Sequence, residues 1–276
     1  MDRSVVHAVH MIINLVHRLV YFVPEAEQEY GALGVHGAGG YFGSRSAPMG
    51  AVTDEVIIAT FYNFSPLAVR SAMPGVWATA SPESLQAARF RVVGRALQRV
   101  GVEMSDAQIA EARRLIDPVV AGLTIGGRPL AAGNSAVALP DDPVTALWQQ
   151  LTVVREWRGD AHIAVLVNNE VGPSDCLALQ VASGRFPARL AHVTRRWSDD
   201  EWSAAMARLG RRGWLDADGK PTQAGSDARE HIEDETDRLC ATIWEPIGDD
   251  GAQRFGELIT PIHDAVTAAG TYAMLA

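Results

Sequence analysis

The chain has 276 residues, 47% of them hydrophobic and 21% charged, with a formal net charge of −9. That length suffices for one large domain or two modest ones with real cores. The acidic balance opposes nonspecific attraction to nucleic acid or to an anionic membrane. No uninterrupted apolar run approaches the ~20 residues of a membrane span. His7, His10 and Asn14 interrupt the apolar start that a signal peptide would need. Cys176 and Cys240 belong to no CxxC pattern, and a reducing cytoplasm is the expected location. The single lysine, Lys220, sits in an Asp-Gly turn, a poor place for a desolvated Schiff-base amine. No glycine loop ends in the Gly-Lys-Ser/Thr of a P-loop.

In chain order, "VVHAVHMIINLVHRLVYF" (5–22) has helical spacing, with Val6, Val9, Ile13, Val16 and Val20 on one stripe. His7, His10, Asn14, His17 and Tyr21 form the neighbouring stripe. Pro24 opens a second helix and Gly34 stops it. The glycine-rich "VHGAGGYFGSRSAPMG" reads as a bend, and "TDEVIIATFYNF" restores helical periodicity. Ser81 and Ser105 cap two further helices. Residues 126–143, "GGRPLAAGNSAVALPDDP", are the expected linker between a helical region 1–125 and a second region 144–276. The two halves are expected to share one core.

The second region predicts separate helices over "DPVTALWQQLTVVREW", "DAHIAVLVNN" and "SDCLALQVASG". A helix capped by Ser198 follows, then a short strand, an Asp-Gly turn, and a long helix capped by Thr222. Helix, "RLGRRGWL", turn, "TQAG", helix is the order of a winged helix of the MarR sort with a very short wing. The expected fold is therefore mainly α, with an irregular helical first half and a winged-helix-like second half carrying a minimal β-wing.

The blocks "HRLVYFVPEA", "GGYFGSRSAPMG", "ATFYNFSP", "REWRGDAHIAVL", "RRWSDDEW" and "ARLGRRGWLDADGKPTQAG" occur in that order. Through them the chain resembles an actinobacterial family of helix-turn-helix, MarR-like proteins. The resemblance implies a winged helix and carries no catalytic residue over. Related sequences tend to have Glu-Pro ahead of the first-helix histidine, where this chain has Asn14-Leu15, so no general-base glutamate is implied there. The would-be recognition helix begins Asp199-Asp200-Glu201, three carboxylates that would repel a phosphate backbone. Arg208, Arg211 and Arg212 lie at its far end. DNA is not an expected partner.

Three groupings could carry chemistry. The first-helix stripe predicts a polar-lined pocket, against the simpler reading of satisfied polar residues at a helix contact. His7 and His10, one turn apart, are the weak metal candidates; no HExxH and no His-Cys cluster accompanies them. In "REWRGDAHIAVL", Arg155, Arg158 and His162 share a helix face, and Glu156 and Asp160 pair on another. A salt-bridged junction explains that segment equally well. Tyr41, Arg45, Tyr62 and Asn63 are polar groups set in apolar, turn-rich sequence. Glycines 37, 39, 40 and 43 do not make GxGxxG, and no GxSxG elbow exists.

The expected function is binding of a small molecule, extending to a non-redox acid–base enzyme (lyase, cyclase or isomerase) of specialised metabolism. The catalytic candidates are His17, Tyr21 and His162; Asn14, Tyr41, Arg45, Tyr62, Asn63 and Arg158 would bind substrate. The alternative is a ligand-responsive MarR-like regulator. No cofactor is predicted, with metal or haem left open; the partner is a small-molecule ligand, with no membrane role, and a homodimer is allowed.

Overall fold

The computed structural model describes residues 1–273, so the last three positions of the expected 144–276 region lie outside the described residues. The first helix, α1 (Arg3–Arg18), starts where Asp2 accepts the Ser4 amide at 2.7 Å. Its valine and isoleucine stripe is buried as expected, against α15 (Gly248–Ala268) and α10 (Pro143–Asn168). Gly256 permits the close approach of α15, since a Cβ there would stand 3.2 Å from Val9. One correction follows: Arg3–Tyr21 does have the length and hydropathy of a membrane span, because its histidines interrupt the apolar run without outweighing it. Here that stretch is the core helix.

Helix α2 (Pro24–Gly31) is tied to α7 (Pro82–Val100) by Arg99 on Glu25 and by Arg91 and Arg95 on Glu29. The glycine-rich segment expected to bend is instead a helix, α3 (Gly37–Ser46). Its glycines serve packing: a Cβ at Gly43 would fall 2.9 Å from Val76, and one at Gly40 3.0 Å from Tyr30. Helices α4 (Asp54–Thr60), α5 (Pro66–Ala72) and α6 (Val76–Thr79) follow, then α8 (Asp106–Ala121) with a Ser105–Gln108 capping box. The stretch read as a linker contains α9 (Pro129–Ser135), which packs on α10.

Helix α10 is continuous where two helices were expected. Leu147, Trp148, Leu151, Val154, Trp157 and Ala161 are all buried along it. A helix buried all round carries no clear amphipathic period, which is why its continuity is hard to read in sequence. Asp160 accepts the Ala131 amide in the first turn of α9, at 3.0 Å. One hydrophobic cluster joins Val6, Leu85, Leu147 and Val266, drawing on both sides of residues 126–143.

The remaining elements are α11 (Pro173–Ala182), α12 (Ala188–Leu190) running into a π-helical turn (Ala191–Arg195), α13 (Asp199–Arg211) and α14 (Gln223–Ala241). Helices α11 and α13 pack through Ala178, Leu179, Ala205 and Leu209. The expected β-wing does not form: among the described residues there is no strand, only one isolated bridge between Leu215 and Pro221. Asp216 accepts the amides of Asp218 and Lys220, closing the turn at once, and Thr222 then caps α14. No length of chain remains for a ladder.

Candidate functional site

Glu156 is the centre of the polar interior. It projects from α10 and is fully buried. Arg45 of α3 grips it with Nε at 3.1 Å and Nη2 at 3.0 Å, and Arg155 adds Nη1 at 2.6 Å. Burial alone would raise this carboxyl's pKa; Arg155 and Arg45 outweigh it and hold it well below the usual carboxylate range. Burial also opposes the charge on Arg45, and Glu156 restores it.

His17 stands behind this pair. Its Nδ1 is 3.0 Å from Thr152 Oγ1, its Nε2 is 3.2 Å from the Tyr21 hydroxyl, and its ring stacks on Trp148. Tyr21 accepts a hydrogen bond from Arg89 at 2.9 Å, which turns its own proton toward His17 Nε2. Burial, followed by nearby Arg155, lowers the His17 pKa well below its ordinary value, so the ring is neutral. His17 is fully buried and lines neither of the two polar hollows described below.

The candidate site residues are divided between separate spaces. A cleft of about 180 Å³ brings together Tyr41, Arg45, Tyr62, Asn63 and His162 from the expected set. A second hollow of about 160 Å³ holds Asn14, Arg158, His7 and His10, with Arg155, Gly159 and His162 common to both. Tyr21 lines neither; it borders an apolar groove of about 410 Å³.

In the second hollow His7, His10 and Arg158 already have partners, although the buried Nε of Arg158 has none. His7 Nδ1 meets Asp237 at 2.8 Å, and Arg158 bridges Glu233 and Asp237 at 2.9 Å each. His10 Nε2 accepts the Trp244 indole N–H at 3.1 Å. The two metal candidates therefore turn to different partners, and among the described residues no group of three potential ligands converges.

His162 is the exception. Its Nδ1 lies 3.0 Å from Thr236 Oγ1, while that hydroxyl donates to the Ile232 carbonyl at 2.7 Å. The Thr236 proton being committed, His162 Nδ1 must carry the hydrogen, which leaves the lone pair on Nε2. Burial lowers its pKa, so the ring is neutral and can accept a proton.

Arg195 gave no sign in the sequence. It ends the π-helical turn and lies over Phe64 at 4.2 Å and Phe186 at 4.9 Å. Its Nη1 donates to Thr194, its Nε is buried without a partner, and no ion pair to an acid holds it among the described residues. The cleft thus sets three guanidiniums, Arg45, Arg155 and Arg195, against one carboxylate, Glu156. The signal is long-range: Ser65 binds the backbone carbonyls of Arg195 and Arg196.

At the far end of α13, Arg208 clamps Asp175 and Ser174, and Arg212 donates to the carbonyls of Glu170 and Asn169. Asp199, Asp200 and Glu201 are exposed. Together these features define a mainly helical protein with a cationic cleft between α3, α10 and the π-helical turn. A helix-turn-helix family model matches residues 6–273, and the chain belongs to that family. Comparison with curated proteins gives no match, and neither does comparison with solved structures.

Proposed function

We propose that this helix-turn-helix family protein binds a small anionic ligand in the cleft between α3, α10 and the π-helical turn. The observation that carries the reading is the excess of guanidinium over carboxylate: Arg45, Arg155 and Arg195 face a space whose one acid is already engaged twice. A carboxylate or phosphate entering there completes the pairing that Arg195 lacks. Binding is the role this geometry supports best. Acid–base turnover narrows to the Nε2 lone pair of His162, because His17 is fully buried and burial pushes the Tyr21 hydroxyl away from ionisation.

A ligand-responsive regulator is the second reading, and the family itself favours it. Arg195 sits in the segment between α11 and α13, just ahead of the helix that sequence order makes the recognition helix, so an anion bound there would touch the segment leading into it. In that reading the acidic start of α13 points away from nucleic acid as its direct partner. Calorimetric titration of phosphate, succinate and citrate tests the proposal. At least one should bind the wild-type chain, and Arg155→Gln should weaken it at least tenfold. No binding at millimolar concentration, or binding indifferent to Arg155, overturns it.

A further inference from the structure

The cleft has room for a small anion or a charged head group, and not for a larger organic body. About 180 Å³ falls below the range of roughly 300–1,000 Å³ usual for small-molecule sites, and suits a charged head group. The neighbouring groove, at about 410 Å³, lies within that range. The two spaces share Tyr41, Phe64 and Arg195 as a common wall. On the groove side the lining is apolar, with Tyr21, Phe22, Phe42, Ala38 and Ala72 among its residues. Its charged residues are Arg195 and Arg196, and no acid lines it among the described residues.

We infer that the ligand is an amphipathic organic acid, whose carboxylate pairs with Arg195 and whose aliphatic or aromatic body fills the groove between α3 and α5. This rests on the anionic reading of the cleft and adds the apolar half. Arg195 serves both sides: it lines the two spaces, no acid pairs with it among the described residues, and its guanidinium carbon lies 4.2 Å from the ring of Phe64, which also borders both. A carboxylate there gains a charge-assisted pair, and the chain it carries leaves water for an apolar wall. Neither a small dicarboxylate nor a neutral alcohol satisfies both halves.

Three probes separate the claims: decanoate, decan-1-ol and succinate, titrated by calorimetry into the full chain, Arg195→Gln and Ala38→Phe. Ala38 is exposed on α3, so a larger ring there fills the groove without disturbing the core. Decanoate should bind the wild-type chain at least tenfold more tightly than either other probe. Arg195→Gln should remove that advantage over decan-1-ol, and Ala38→Phe should weaken decanoate at least tenfold while leaving succinate unchanged. Succinate binding as tightly as decanoate overturns the amphipathic ligand and leaves the anion site standing. Decan-1-ol binding as tightly as decanoate, with no dependence on Arg195, overturns both. Decanoate binding that survives both variants is surface adsorption and also overturns the inference.

Discussion

Replacing Arg45 with glutamine should destabilise the fold through Glu156. The carboxylate is fully buried, so removing its bidentate partner leaves a charge that water cannot reach. Breaking a buried ion pair by deleting one partner costs about 3–5 kcal/mol. Arg155 remains, 2.6 Å away but a quarter exposed, and so offsets part of that loss. The expected cost is therefore near the lower end, about 3 kcal/mol, or a fall of roughly 6–12 °C in Tm for a chain of this size. Glu156→Gln alone should also destabilise, because it leaves Arg45 and Arg155 without their acid. The double variant should lose much less than the two single losses added together. The sign with pH follows from the lowered Glu156 pKa. The stability that carboxylate contributes is present above its unfolded pKa and is lost as pH falls toward the folded value. The gap between wild type and Arg45→Gln should accordingly begin to narrow below about pH 4 and go on narrowing as pH falls further. Urea unfolding of all four proteins, followed by far-ultraviolet circular dichroism, measures this. A loss under about 1 kcal/mol for Arg45→Gln, or additive single variants, refutes the reasoning.

Asp160 should act in the opposite sense: burial raises its pKa to about 6, so the folded state holds its proton more tightly than the unfolded chain. Stability should fall as pH rises from about 4 to 6, by at most about 3 kcal/mol, and Asp160→Asn should flatten that slope in pH-dependent urea melts. His10→Ala should cost roughly 1–3 kcal/mol by orphaning the buried Trp244 N–H, whereas His7→Ala, at a half-exposed position, should cost less than about 1 kcal/mol. Thermal unfolding of the two variants side by side decides this. A gel-shift on the chain's own upstream DNA at physiological salt should give no sub-micromolar complex; tight binding lost in Arg211→Ala would restore α13 as a reading helix.

The polar stripe of α1 could be read from spacing alone, since His10, His17 and Tyr21 repeat with the helix. What satisfies each of them could not. Thr152, Trp148 and Trp244 arrive from elements more than a hundred residues away, and no local pattern encodes that. Glycine misled at α3, where the residue that ordinarily loosens a chain was needed for close approach. Gly159 helped to disguise α10 as two helices, although the surrounding core holds it as one. Tyr41, Arg45, Tyr62 and Asn63 were legible as a group, because polar residues in apolar sequence must find partners or a ligand. Arg195 was not legible. Its place depends on where Phe64 and Ser65 lie, and the sequence around it looks like an ordinary basic surface turn.

The pairing of α1 with α15 has a consequence for how the chain is made. The helix with the length and hydropathy of a membrane span is synthesised well before its main partner, which begins only at Gly248. At about 5–20 residues per second, Val6, Val9 and Ile13 wait roughly 10–50 s before their cover leaves the ribosome. During that interval the N-terminal segment offers a hydrophobic face to chaperones, membranes and other nascent chains. Contacts of such sequence separation also slow folding after release. The last helix is therefore the closing step of the core, and loss of α15 would expose the first.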